Sequence, residues 1–139
     1  MRLTSQAAGR TFTPAEIDFL AGRQPARLAT VAPDGQVQNN PVGFFLDAGS
    51  GTIVIGGHDL GRSREFRNIQ QGSTVSLVVD ELTSTDPWVV RGIEIRGTAE
   101  ALTDHEPPMP FYSREIIRIR PRRIIARGLD GDRRSRTVA

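Results

Sequence analysis

The residues of this 139-residue chain best placed to do chemistry are Gly56-Gly57-His58-Asp59-Leu60-Gly61-Arg62-Ser63-Arg64-Glu65-Phe66-Arg67-Asn68. They run from the end of an apolar, β-branched stretch through glycines into a helix-compatible stretch, Arg62–Gln71. Glycines let backbone N–H groups approach an anion, and a helix N-terminus adds roughly half a positive charge. Ser63 offers a hydroxyl, and Arg62, Arg64 and Arg67 offer forks that match phosphate oxygens. The spacing is not that of a P-loop, because the terminal Gly-Lys-Ser/Thr is missing. Two readings fit the segment: an anion site, and a solvated Arg-rich helix start with turn glycines.

Other candidates are scattered. His58 beside an anion site could shuttle protons, although a His in a Gly-rich loop is more often a hydrogen-bonding or exposed group. His105 lies in a polar loop, and two histidines so far apart are a poor basis for a metal site. Asp59, Asp80 and Glu81 sit at turns and strand ends, where acids are ordinary. Trp88, the single Trp, reads as a core or interface aromatic or as a cleft residue. Asn39-Asn40-Pro41 reads as a bulge-making turn or as amides facing a polar ring edge. With no cysteine, disulfides, thiolate metal sites and a Cys nucleophile are excluded.

The elements that must hold these residues are mostly strands. Thr13-Pro14-Ala15-Glu16 predicts a short helix with a capping box, an apolar side of Ile17, Phe19 and Leu20, and a stop at Gly22. Strands are expected over Arg27–Ala32, Val37–Leu46, Thr52–Gly56, Thr74–Glu81, Trp88–Leu102 and Ile116–Ile125. Pro33-Asp34-Gly35 and Asp47–Gly51 are turns, 82–87 a polar loop, and 107–110 a proline-rich loop. Gly97 marks a bulge or close approach, and Pro121 a bend. Residues 1–10 are expected to be a loose arm and 130–139 to fray. Such a chain forms one mainly β domain over 1–139, an antiparallel barrel with short helices; a sandwich is the competitor.

All 18 basic residues are arginine, the net charge is +2 and the sequence pI is about 10.3. Nine arginines fall between 114 and 136, which raises nucleic-acid or other polyanion binding. Against this stand the small net charge, the scarcity of stacking aromatics beyond Phe111 and Tyr112, and an Arg/Ile alternation that suits a half-exposed strand. The N-terminus lacks a signal-peptide pattern and no apolar run reaches the ~20 residues of a membrane span. The expectation is a cytoplasmic protein away from membranes.

Three blocks together resemble a known family. Ala26-Arg27-Leu28-Ala29-Thr30-Val31 with Asp34-Gly35 and Asn40-Pro41-Val42 is similar to the opening hairpin of the pyridoxamine-phosphate-oxidase-like split-barrel flavoproteins. Arg62–Asn68 is similar to their cofactor-phosphate segment. Pro87-Trp88 and Arg91-Gly92-Ile93-Glu94-Ile95-Arg96-Gly97 resemble a later strand of the actinobacterial, deazaflavin-dependent branch. The resemblance covers about residues 26–128. It implies a split, FMN-binding-like β-barrel and a homodimer with two cofactors in clefts between subunits. It implies phosphate-side contacts from Gly57, Arg62, Ser63, Arg64 and Asn68, ring-side positions for Asn40, Pro41 and Val42, and Trp88 near the cleft; His58, within the same segment, is added as a cofactor-binding candidate. Two positions depart from the pattern: Arg64 stands where relatives often have Lys, and Ala126-Arg127-Gly128 where they often have Ser-Trp-Gly.

The function so implied is hydride transfer between coenzyme F-420, an 8-hydroxy-5-deazaflavin, and a small organic substrate. Flavin mononucleotide is the alternative cofactor, and a carrier or sensor without turnover the alternative role. The cofactor performs the hydride chemistry, so no catalytic side chain is expected.

Overall fold

The capping box foreseen at Thr13 is formed, and it starts the described part of the chain. In the computed structural model residues 11–47 and 49–138 are described, so the arm expected over 1–10 lies outside the described residues. Glu16 N–H donates to Thr13 Oγ1 at 3.1 Å, and Thr13 N–H donates to Glu16 Oε1 at 2.9 Å. Between these bonds and Gly22 (φ +71°) runs helix α1, Pro14–Leu20, with Phe19 and Leu20 buried.

Seven strands follow: β1 (Ala26–Val31), β2 (Val37–Asp47), β3 (Thr52–Gly56), β4 (Val75–Thr85), β5 (Trp88–Leu102), β6 (Ile116–Arg127) and β7 (Arg134–Thr137). Their order is β3-β2-β1-β4-β5-β6-β7, and β3 also pairs with β6, so six of them close into an antiparallel barrel. This is the split β-barrel that the resemblance implied. The period-2 pattern sends Leu28, Ile53, Ile55, Leu77, Val79, Ile93, Ile95, Ile117 and Ile119 inward, all buried. Helix α2 (Arg64–Gln70) packs chiefly on β5 and β1 through Phe66 and Ile69.

β6 serves two partners along its length. Ile117 and Ile119 pair with Ile55 and Ile53 of β3, whereas Arg123–Ala126 pair with β7. Between these halves the β5–β6 register slips at Arg96/Gly97. A Cβ on Gly97 would lie 2.1 Å from the Arg120 carbonyl oxygen, so this position must be glycine. The bulge at Gly97 and the bend at Pro121 expected from sequence are therefore one feature.

Three expectations need correction. The polar loop over 82–87 shrinks to Asp86-Pro87, because β4 and β5 stay paired out to Thr85↔Trp88. The helix-compatible stretch from Arg62 begins as a 3-10 turn, Leu60–Arg62, and α2 starts only at Arg64. The tail expected to fray over 130–139 instead supplies β7 (Arg134–Thr137) within its described part, 130–138, which makes seven strands rather than six. The cause is long-range. Arg136 donates to both oxygens of Glu16 (2.6 and 2.8 Å) and to the carbonyl of Thr11 at 2.8 Å. Glu16 is 1% exposed, so its carboxylate depends on this fork for charge compensation.

Arg136→Ala should therefore cost about 2–4 kcal/mol, since it strands a buried carboxylate, and lower the melting temperature by roughly 10 °C in calorimetry. A second ion pair carries a pH signature. Arg118 donates to Asp47 Oδ2 (2.9 Å) and Thr52 Oγ1 (2.7 Å), tying the β2–β3 turn to β6. That hydrogen bond holds the Asp47 carboxyl below its ordinary value. A lowered carboxyl contributes stability above its unfolded pKa and loses it as protons bind. Unfolding free energy should thus decline as pH falls through about 4, and Asp47→Asn should flatten part of that decline.

Candidate functional site

Antiparallel pairing of β3 with β6 sets the end of β3 beside the start of β6, and the segment of interest leaves β3 there. Ile55 faces Ile117, so residues 56–61 run alongside 112–115. The Ser113 N–H and hydroxyl both donate to the Gly57 carbonyl (2.9 and 3.1 Å), and Leu60 N–H donates to Ser113 Oγ at 3.2 Å. Gly61 N–H donates to Glu115 Oε1 at 3.1 Å. A Cβ on Gly56 would stand 2.7 Å from Tyr112 Cδ2, and one on Gly61 3.0 Å from Glu115 Cδ. These two glycines therefore admit a neighbouring loop. Gly57 is more open, its nearest non-neighbour being Leu60 Cβ at 3.8 Å.

Ser63 is occupied locally. Its Oγ accepts from Phe66 N–H (3.1 Å) and donates to the Leu60 carbonyl (2.7 Å), capping a helix of only seven residues. An anion reading of this segment thus rests on guanidinium groups and not on the helix end. Arg62, largely exposed, stands 3.6 Å from Asp59. Arg64 and Arg67 have no carboxylate partner among the described residues. Arg64 and Asn68 line a groove of about 300 Å³ against the β1–β2 hairpin, with Asp34, Gln36, Val37 and Gln38 opposite. Gln38 Oε1 is buried there without a hydrogen-bond partner.

The amides singled out from sequence tether α2 to the hairpin. Asn40 Nδ2 donates to Glu65 Oε1 at 2.8 Å, and Asn68 Nδ2 donates to Thr30 Oγ1 at 2.9 Å. Asn68 is 2% exposed and Glu65 6%. Pro41 is exposed opposite Arg27, while Val42 is buried opposite Ala26. Asp80 and Glu81 do not pair with each other. Asp80 meets Arg27, and Glu81 lies between Arg91 and Arg23. The Arg91 hydrogen bond holds Glu81 below the usual carboxylate range, which suits an ionised structural acid and not a proton donor.

His58 gains a setting that spacing along the chain does not reveal. Its ring stacks on Phe111 (centroids 5.4 Å, 28° between planes) and meets Tyr112 edge-on at 5.6 Å. Trp88 stands apart at the β4–β5 turn, where it is 70% exposed, so the core reading of this residue is wrong. Sequence reasoning passed over Gln38, Glu65, Tyr112, Ser113 and Glu115 as site residues. Only the density of glycine at 56, 57 and 61 hinted that another loop must come close.

A family model described as pyridoxamine 5'-phosphate oxidase matches residues 12–128. The chain belongs to this family. Within the pyridoxamine 5'-phosphate oxidase family it is similar to a 5a,11a-dehydrotetracycline/5a,11a-dehydrooxytetracycline reductase of Streptomyces rimosus. The two are 47% identical over 122 residues, 87% of this chain and 86% of the relative. Among solved structures, an F-420 reductase is similar at 25% identity and a TM-score of 0.58, covering 77% of this chain and 93% of that one. A heme-binding protein from Mycobacterium smegmatis shares the fold at 18% identity and a TM-score of 0.66. That match covers 94% of this chain, which spans only 57% of that protein. As a member of the pyridoxamine 5'-phosphate oxidase family with a reductase relative this similar, the chain is an oxidoreductase.

The two polar groups of the groove should separate on mutation. Asn68→Ala should reduce unfolding free energy by about 1–3 kcal/mol, because the buried Thr30 hydroxyl loses its partner. Arg64→Ala should change it by less than about 0.5 kcal/mol, as for other unpartnered surface groups. Urea titrations of both variants measure the difference.

Proposed function

We propose that the chain is a reductase that takes hydride from reduced coenzyme F-420 and, with a proton drawn from solvent, saturates a carbon–carbon double bond of a fused-ring substrate, leaving the coenzyme oxidised. The observation that carries this reading is the 47% identity, over 87% of the chain, to a reductase of dehydrotetracyclines. The likeness to an F-420 reductase supports the deazaflavin over flavin mononucleotide.

The donors of the groove and of the adjoining segment 62–67 suit such a cofactor. Arg64 and Arg67, with no carboxylate of their own among the described residues, are matched to phosphate oxygens, and Arg62 is only loosely held by Asp59. Gln38 Oε1, a buried acceptor with no partner, suits a hydroxyl donor such as those of a ribityl chain. When bound, the deazaflavin supplies the hydride, and the protein supplies binding, orientation and exclusion of water. In this reading Arg62, Arg64 and Arg67 hold the anionic end, with Gly57, His58 and Ser63 beside them. Asn40 and Asn68 fix α2, which carries Arg64 and Arg67. Asn40, Pro41, Val42 and a partner subunit's Trp88 belong to the ring side, in a homodimer. C-terminal arginines contribute less than their number promises, since Arg114, Arg118, Arg120 and Arg136 are already paired with carboxylates. The same pairing weakens the nucleic-acid reading.

Titration with coenzyme F-420, followed by its fluorescence, should show binding at micromolar concentration or tighter. The reduced coenzyme should be consumed on addition of 5a,11a-dehydrooxytetracycline. Arg64→Ala should weaken coenzyme binding about tenfold or more, in line with loss of a charge-assisted hydrogen bond. Tight binding of flavin mononucleotide alone would overturn the cofactor assignment.

A further inference from the structure

We infer that Phe111 and His58 form a fixed aromatic shelf on which the flat, fused-ring portion of the substrate stacks. The inference rests on the reductase reading above and adds to it the residues that select the substrate. Six observations support it.

Phe111 is 57% exposed although it is a large apolar residue, so it presents a ring face to solvent at a place where burial within the chain was not achieved. That face is held still. Phe111 meets Tyr112 edge-on (5.0 Å, 78°) and stacks on His58, while Tyr112 meets His58 edge-on, so each of the three rings braces the other two. Tyr112 is itself wedged over two strands: a Cβ on Gly43 would lie 3.2 Å from its hydroxyl, and one on Gly56 2.7 Å from its ring. The loop is stiffened by Pro107, Pro108 and Pro110, which fix φ, and closed by a Tyr112 N–H bond to the Met109 carbonyl at 3.1 Å.

The shelf is also tied to the proposed cofactor segment, because Ser113 bonds Gly57, the residue before His58. The His58 ring nitrogens have no hydrogen-bond partner among the described residues, so an imidazole N–H is left for an oxygen on a ring edge. A flat conjugated ligand gains from offset stacking on such a surface with centroids about 4.5–7 Å apart. A rigid shelf also loses little side-chain freedom on binding.

The test uses the full chain and oxytetracycline, a fused-ring probe that is not reduced, titrated by its fluorescence, with coenzyme F-420 titrated separately. Expected is saturable probe binding by the wild type and a loss of about tenfold or more in Phe111→Ala. Phe111→Trp should stay within about threefold of wild type, His58→Ala should show an intermediate loss, and coenzyme affinity should be unchanged in both Phe111 variants. Equal probe affinity in wild type and Phe111→Ala overturns the shelf and leaves the reductase reading standing, as does absence of probe binding in a wild type that still reduces the dehydro compound. Normal probe behaviour with no coenzyme binding strikes the reductase reading and supports the shelf. A shift of Phe111→Ala toward monomer in size-exclusion chromatography assigns the patch to a second copy of the chain, and overturns the inference.

Discussion

The pairing of β3 with β6 is the constraint on which the rest of the structure depends. It closes the barrel, and it does so between strands some 60 positions apart in sequence, Ile53↔Ile119 and Ile55↔Ile117. β6 can reach β3 only because its course changes midway. The register slip opposite Gly97 lets the first half of β6 complete the barrel while its second half carries β7 on the outside. A side chain at 97 would collide with the Arg120 carbonyl, and that contact is backbone, which cannot rotate away. Closure then has a local consequence. The segment leaving β3 and the loop entering β6 become neighbours, and Ser113, Glu115 and Tyr112 fix the shape of residues 56–61. The geometry of the candidate site is thus a by-product of how the barrel shuts.

Charge is organised by the same topology. A chain whose cations are all arginine has forks suited to carboxylates as well as to phosphates, and composition cannot say which a given arginine meets. The fold sorts them. Arg118 and Arg136 join distant elements through short, partly buried contacts with Asp47 and Glu16. Arg120 and Arg96 make exposed pairs on the sheet surface, worth little individually. Arg64 and Arg67 stay without a carboxylate among the described residues although Glu65 is between them. The reason is geometric: Glu65 is turned inward and hydrogen-bonded to Asn40, so it is removed from the face that the two arginines share.

Much of this was legible in the sequence where the signal was local. The capping box needs only four residues, the hairpin turn at Asp34-Gly35 only three, and the alternation of Ile with Arg in β6 shows which face is buried. Gly97 and Pro121 announced a distortion that the structure resolves into one bulge. What could not be read was anything fixed by partners far along the chain. The tail looked polar and loose because its anchor, Glu16, lies 120 positions away from Arg136. Ser63 and Asn68 had the composition of ligand-binding groups, and their local duties, a helix cap and a bond to Thr30, compete for the same atoms. His58 and Phe111 lie more than a third of the chain apart, and only closure of the barrel stacks them.

These cases point to a general separation within the site. Polar residues that are buried or half-buried here act on the scaffold: Asn40, Glu65, Asn68 and Thr30 form two bonds that hold α2 against the hairpin, and with it the positions of Arg64 and Arg67. Among the described residues around the candidate site, the groups left over for a ligand are those the fold does not satisfy: the guanidiniums of Arg64 and Arg67, which lack a carboxylate, the Gln38 Oε1 acceptor and the exposed ring of Phe111. Under the proposed function the hydride comes from a cofactor, so no side chain with an unusual proton affinity is needed and specificity falls to such unsatisfied surfaces. That accounts for a sequence in which many of the carboxylates are already paired and yet the groove lined by Arg64 and the aromatic patch of His58 and Phe111 remain open.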